Sequence, residues 1–452
     1  MLEIVILAAG KGTRMKSQKP KVLHPIGGKS LLQHVIDCAN TLSPDKIHVV
    51  VGHGAEQVKA DVADDKLNWV LQTQQLGTGH AVQQAMPAID PKADVLVLYG
   101  DVPLIQSDTL KQLMTGLSDE AMALLTVELD DPTGYGRIVR NADAAVEAIV
   151  EQKDATQAQL NITEVNTGIL AAKAKHLNVW LPTLKSDNAQ GEYYLTDIIA
   201  LAKNTGYAIT VAQPNSEIEV LGVNNRLQQA QLERALQARI TQQLMVDGVT
   251  LIDPARFDCR GELKCGTDVV IDVNVIFEGT VTLGNGVNIG PNCVLTNCEL
   301  GDNVEVKANT VIEDAVISEA CNLGPFARIR PGTVLAKGVK IGNFVETKKA
   351  IIGQGSKVNH LSYIGDAEVG EGANIGAGTI TCNYDGANKF KTTIGDGVFV
   401  GSNSVLVAPV ELQAGSFVGA ASVITKVVPK DNLAIARARQ RNIEGWDKPS
   451  KK

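Results

Sequence analysis

From Ile271 to Ile424 a large apolar residue returns every six positions, occasionally five. Phe277, Leu283, Ile289 and Leu295 open the series; Val400, Leu406, Leu412, Val418 and Ile424 close it. Two positions before each, from Leu283 onward, stands only Val, Ala, Ser, Thr or Cys. A six-residue period with one large and one small inward position is the pattern of a parallel β-helix, in which each hexad supplies one face of a triangular prism. Three hexads close a coil, so the repeat predicts about nine coils, stacked to roughly 43 Å at the ~4.8 Å strand spacing. Its long flat faces invite self-association. Cys293, Cys298 and Cys321 fill the small-residue slot and read as packing, not metal ligands. The register fails between Thr381 and Ile394, where "CNYDGANKFKTT" intervenes. An insertion into a solenoid is usually a functional projection.

Nothing before the repeat shares this texture. Residues 1 to about 226 alternate β-rich runs ("EIVILAA", "KIHVVVG", "DVLVLYGD") with helical segments such as "SLLQHVIDCANTL". Nearly continuous apolar runs fit strands buried on both faces, so a Rossmann-like, doubly wound α/β domain is expected, its site at the C-terminal strand ends. Between them, Leu232, Leu236, Ile240 and Leu244 recur every four residues before Gly248. They predict a helix of about 22 residues, roughly 33 Å long. It serves either as a rod between domains or as the last helix of the first. The expected organisation is 1–226, a linker helix at 227–247, and a β-helix with a tail at 248–452. The net charge of −8 argues against a nucleic-acid-binding body. Seven scattered cysteines, and no apolar run long enough for a signal peptide or a span, fit a soluble cytoplasmic protein.

The opening "EIVILAAGKGTRMKSQKPKVLHPIGGKS" tests three phosphate motifs. The dinucleotide fingerprint fits Gly10 and Gly12 but meets Met15 at its third place. The Walker pattern ends in "GGKS" but would need a glycine at Leu23. What remains is a glycine turn offering backbone N–H groups to an anion, with Arg14 and Lys21 adding charge.

"LAAGKGTRM…KPKVLH" resembles the signature of sugar-nucleotide pyrophosphorylases. "QLGTGHA", "YGDVPL", "DPTGYGRI", "IVEQKDA", "EVNTGIL" and "GVNNR" extend the match. With the helix and repeat added, nearly the whole chain resembles the bacterial bifunctional N-acetylglucosamine-1-phosphate uridylyltransferase/glucosamine-1-phosphate N-acetyltransferases. The resemblance implies a left-handed β-helix packed as homotrimers, with the acetyl-CoA pocket between subunits. It implies Mg²⁺ on Asp101 and Asn224, with Asn225 the alternative to the latter. Arg14 and Lys21 would stabilise the triphosphate and departing pyrophosphate, beside the nucleotide-binding Leu7, Ala8, Ala9, Gly10, Tyr99 and Gly100. Gln72, Gly77 and Thr78 match uracil-contacting positions; Gly136, Glu151 and Asn166 match those holding N-acetylglucosamine.

In the repeat lies His360, the only histidine beyond residue 176. Acetyl transfer to an amine needs a base near neutral pH, and imidazole suits it. Arg330 and Lys348 fall within about a coil of each other and two coils' reach of His360, as a sugar-phosphate clamp would. By resemblance Tyr363 and Asn374 join that clamp. Ala377, Asn383, Tyr384, Ser402, Ala420 and Arg437 match acetyl-CoA contacts, and Glu346 would orient the site. The implied partners are small molecules: UTP, acetyl-CoA, glucosamine 1-phosphate and N-acetylglucosamine 1-phosphate. The implied product feeds peptidoglycan and lipopolysaccharide synthesis. Two rivals stay open: a pyrophosphorylase for another sugar or nucleotide with a regulatory solenoid, and a solenoid that is only a trimerising scaffold.

Overall fold

A computed structural model describes residues 1–62 and 64–451. The chain divides into two compact units, Met1–Leu236 and Gln237–Lys452, and the division falls inside the helix Arg226–Val246.

Among the described residues of the first unit, nine strands form one sheet. Its centre is Leu2–Ala8, flanked in parallel by Lys46–Val51 and Asp94–Tyr99. Ile4, Ile6 and Ala8 enter one apolar core, Val5 and Leu7 the other. That division explains the unbroken apolar run, since a strand covered on both faces has no polar side. Two of the nine, Glu164–Lys173 and Val146–Val150, run against the parallel majority. Glu164–Lys173 runs antiparallel to both Asp94–Tyr99 and Ala121–Glu128. It also pairs with Arg137–Arg140 of a two-stranded arm, completed by Val146–Val150, which carries Gly136 and Glu151 beside the sheet. The chain proceeds outward from Leu2–Ala8 in both directions, which puts a crevice at the strands' C-terminal ends.

The second unit is a parallel β-helix. Eleven strands, Thr250–Leu251 to Leu433–Ala434, stack as one face, and fourteen more form a branching sheet over the others. Longer segments such as Val275–Leu283 bend round a corner and serve two faces. The aliphatic positions from Ile271 to Ile424 form one core, with Cys293, Cys298 and Cys321 buried in it. Burial pushes the Cys293 thiol up to about 11 and that of Cys298 to about 12, so both stay protonated packing groups. The period does not lapse between Ile341 and Ile352, nor entirely after Ile375. Thr347 and Thr381 take the inward places, 0% and 1% exposed. Their hydroxyls are satisfied: Thr347 with Thr333 at 3.2 Å, Thr381 accepting from the Gly365 N–H at 2.8 Å.

The prism's corners demand left-handed backbone. On one corner the successive residues are Asn274, Asn292 and Asn309, then Phe326, Phe344 and Leu361, then Gly378 and Asn403. Asparagine and glycine accept positive φ readily; Phe and Leu do so at a cost. Phe326, Phe344 and Leu361 nevertheless hold φ of 56°, 57° and 47°. Their side chains are largely exposed, and the two phenyl rings stack at 5.3 Å. Strain kept at three consecutive coils marks that stretch of corner.

Candidate active sites

At the end of Leu2–Ala8 the chain turns through Ala9 and Gly10, and a 3₁₀ turn, Thr13–Met15, follows Gly12. A Cβ at position 12 would lie 2.6 Å from the Lys21 Cβ. Only glycine lets the Lys21 stem pass so close. The Lys21 ammonium pairs with the Asp101 carboxylate and lies 3.2 Å from the Asn224 Oδ1. Arg14 donates to the same Oδ1 at 2.9 Å. The two predicted asparagines separate here. Asn225 Oδ1 accepts from the Gln228 N–H at 2.9 Å, capping the helix, whereas the side chain of Asn224 meets the cations.

These groups line a cavity of about 590 Å³ with Leu7, Ala8, Ala9, Gly10 and Tyr99. Gln72, Gly77 and Thr78 form another part of its lining. Gly100 lies just behind, its N–H donating to the Leu7 carbonyl at 3.0 Å. A divalent cation fits the donor set, because one carboxylate and one amide oxygen already share a single cation, the Lys21 ammonium. Magnesium takes few protein oxygens and completes its shell with phosphates and water. No cluster of three or more His, Cys, Asp or Glu suited to a metal occurs among the described residues.

Gly136, Glu151 and Asn166 assemble beside this cavity, outside its lining. Asn166 N–H donates to the Gly136 carbonyl at 2.8 Å, and a Cβ on Gly136 would come within 3.3 Å of Glu151 Oε1. Burial raises the Glu151 pKa, opposed by the Thr196 hydroxyl, which donates to it at 3.1 Å, and assisted by Asp197 and Asp154. Burial, then Glu151 and Asp101, pushes the Tyr99 phenol far up, so it stays protonated. Sequence reasoning missed Gln190 and Glu192, which also line the cavity. They arrive because Tyr193 N–H bonds to the Leu76 carbonyl and Leu195 N–H to the Thr78 hydroxyl. No phosphate motif or periodicity marks that segment.

On the solenoid, parallel register brings distant residues into rows. Glu346 sits opposite Tyr363, and Asn343 opposite His360. Arg330 donates to Glu346 at 2.6 Å, which raises its pKa. Lys348 follows on the adjoining coil, where Arg330 N–H meets the Thr347 carbonyl. Hydrogen-bond contact with Lys389, then desolvation and Lys389's like charge, lowers the Lys348 pKa. Asp366 partly offsets these two like charges. Lys389, missed in the sequence, belongs to the inserted loop, which Phe390 N–H closes onto the Asn383 carbonyl at 2.8 Å. The Asn383 side chain is anchored to Asp366, and Tyr384 is 59% exposed. Asn374 lies on the eleven-stranded face, across the strained corner from Tyr363, in the row Lys357–Asn374–Phe399.

His360 Nδ1 lies 2.9 Å from the Asn343 Oδ1, an oxygen that can only accept. In the neutral ring the proton is therefore on Nδ1 and the lone pair on Nε2, as a base requires. From His360 a row of small residues follows the same corner: Ala377, Ser402 and Ala420, each just before a left-handed residue. Arg437 closes the row, its guanidinium donating to the Ala420 carbonyl at 2.8 Å. At ~4.8 Å per coil the row spans ~14 Å, a track for an extended ligand.

A family model described as a MobA-like NTP transferase domain matches residues 4–247. Models described as a GMPPB C-terminal domain and a hexapeptide repeat of succinyl-transferase match 259–352 and 391–426. The chain is 62% identical over 452 residues to the bifunctional protein GlmU of Cellvibrio japonicus, covering 100% of both chains. It is 61% identical to that of Saccharophagus degradans over the same length and coverage. Against that of Marinobacter nauticus it is 60% identical over 450 residues, covering 100% of this chain and 99% of the relative.

Proposed function

The chain belongs to the bifunctional GlmU family, and from that premise we propose that its two units catalyse successive steps of UDP-N-acetylglucosamine synthesis. The solenoid, residues 248–452, transfers acetyl from acetyl-CoA to glucosamine 1-phosphate. The α/β part, residues 1–226, joins the resulting N-acetylglucosamine 1-phosphate to UTP and releases pyrophosphate. The helix at 227–247 links them. The observation that carries this reading is His360, its Nδ1 engaged by Asn343, one corner away from Tyr363, whose strand pairs with the strand of Lys348. A scaffold needs neither that base nor that charge.

In acetyl transfer, Arg330, Lys348 and Lys389 hold the sugar phosphate, with Tyr363 and Asn374 on its sugar. Glu346 orients Arg330. His360 Nε2 takes the proton as the amine attacks the thioester carbonyl, and proximity along the corner track supplies much of the rate. Ala377, Ser402 and Ala420 leave room for the coenzyme arm; Asn383, Tyr384 and Arg437 bind its polar parts.

In uridylyl transfer, Arg14 and Lys21 neutralise charge as the sugar phosphate attacks the α-phosphorus and pyrophosphate leaves. Asp101 and Asn224 would hold Mg²⁺, which when bound supplies charge neutralisation for the triphosphate. Gly136, Glu151 and Asn166 position the N-acetylglucosamine. A homotrimer through the β-helix is supported by outward apolar rows such as Ile380–Val405–Val423 and the exposed stacked pair Phe399–Phe417. No helix among the described residues is long and apolar enough to cross a membrane. With seven free cysteines, that supports a cytoplasmic setting for the enzyme.

The test is thiol release from acetyl-CoA and glucosamine 1-phosphate without UTP, paired with pyrophosphate release from UTP and N-acetylglucosamine 1-phosphate. Both should be positive. Pyrophosphate without thiol release would reduce the solenoid to a scaffold.

A further inference from the structure

Resting on the reading that the cavity of Met1–Leu236 takes UTP, we infer that His80 sets nucleobase choice by fixing which end of the Gln72 amide meets the base. Gln72 is 3% exposed, yet it lines the cavity. Its Nε2 donates to the Gly77 carbonyl at 3.2 Å and lies 2.9 Å from His80 Nδ1. A carbonyl oxygen only accepts, so the Gly77 contact identifies the nitrogen end of the amide. The second amide hydrogen then goes to His80, whose Nδ1 is the unprotonated nitrogen. The ring's Nε2 then carries the proton and stands 3.2 Å from Gln84 Nε2, so the Gln84 amide must turn its oxygen toward the ring to accept. Both hydrogens of the Gln72 amide are thereby used. Among the described residues its Oε1 has no hydrogen-bond partner, and this acceptor is what Gln72 offers a ligand.

An acceptor at that place selects by chemistry. Uracil presents an N3–H donor between two carbonyls; cytosine presents an unprotonated N3. Gln72 Oε1 accepts from the first and opposes the lone pair of the second. Turning the amide to suit cytosine would set Oε1 against the Gly77 carbonyl and the His80 lone pair, losing two hydrogen bonds in a buried place. Thymine shares uracil's edge, so His80 gives no choice between UTP and dTTP. His80 does not line the cavity and is a positioning residue that acts through Gln72.

The experiment compares kcat/KM for UTP, CTP and dTTP on the full chain, with N-acetylglucosamine 1-phosphate and pyrophosphate release. His80→Leu should lower the UTP-over-CTP preference about tenfold, the worth of one such hydrogen bond. The UTP-to-dTTP ratio should hold. His80→Asn, which returns an acceptor oxygen near the place of Nδ1, should keep the wild-type preference. Where the leucine variant is unstable, His80→Phe fills the ring's volume without an acceptor, and a wild-type-like thermal unfolding transition reports an intact α/β unit. A merely structural His80 would lower UTP and CTP turnover together; an unchanged ratio overturns the inference, as does equal loss in His80→Asn and His80→Leu. Wild-type protein that fails to turn over UTP defeats the uridylyltransferase reading instead.

Discussion

The two candidate sites are built in opposite ways. In the α/β unit the charged groups turn inward: Lys21 and Asp101 are only 14% and 16% exposed, and one copy of the chain encloses the cavity. On the solenoid the groups stand along an outer corner, His360 is exposed, and Lys348 and Lys389 bring two like charges together beside Asp366. A crevice in an open sheet gathers residues from loops that can be shaped independently. A solenoid offers only rows, so it must vary corners and insertions, and the strained Phe326, Phe344 and Leu361 fall on the corner next to the candidate row. The difference predicts that the solenoid site needs covering from outside its own prism, and that damage to either site leaves the other working.

The sharpest break is His360→Ala. Loss of a positioned base should cut acetyl transfer about 10²–10⁴-fold while uridylyl transfer stays at its wild-type rate. Thiol and pyrophosphate release on the same preparation read both, and parallel loss would show that the sites are not independent. Asp101→Ala is the converse, expected to lower uridylyl transfer about 10²–10³-fold and spare acetylation. Isothermal titration with Mg²⁺ and UTP should show the matching loss of metal-dependent binding. Lys389→Ala probes the Lys348–Lys389 pair. It should raise the KM for glucosamine 1-phosphate about tenfold with little change in the KM for acetyl-CoA; equal changes in both would place the inserted loop on the coenzyme.

The smallest effect concerns Glu151. Its pKa is raised by burial, so the fold pays a penalty for its charge that is present above the folded pKa and vanishes as pH falls through the folded and then the unfolded value. Glu151→Gln should therefore raise the melting temperature of the α/β unit by ~2 °C at neutral pH and less at acid pH. A shift that grew on acidification would reverse that sign and contradict the burial account.

The repeat was legible because one inward period repeats many times, and the buried row from Ile271 to Ile424 follows it. It hid Thr347 and Thr381, where hydroxyls paired inside the coil replace aliphatic side chains. The crossover strands of the first unit were legible from continuous apolar runs; the antiparallel run of Glu164–Lys173 was not, because direction leaves no trace in hydrophobicity. Of the site residues, glycine turns and strand ends announced themselves. Lys389, Asn343, Gln190 and Glu192 did not, since each matters only through a neighbour brought from elsewhere. That Asn225 caps the helix while Asn224 faces the cations was likewise invisible in the sequence, where the resemblance alone favoured Asn224.

The corner row has one last consequence. Asn343, His360 and Ala377 follow one another at intervals of 17 residues, so position along the chain acts as an angular coordinate. Adding a whole coil slides a residue along the axis and keeps its bearing, and coils of 17 and 18 residues both do so, as the corner series Asn309, Phe326, Phe344 and Leu361 shows; adding or removing one hexad moves everything after it by a face. The inserted loop obeys this rule. From Thr381 to Ile394 the chain uses thirteen residues where six are regular, yet Ile394 returns to the core in phase. Lengthening that loop should leave Ser402, Ala420 and Arg437 aimed as before, whereas deleting one whole hexad between His360 and Ala377 would turn that part of the corner row away from His360 by a face.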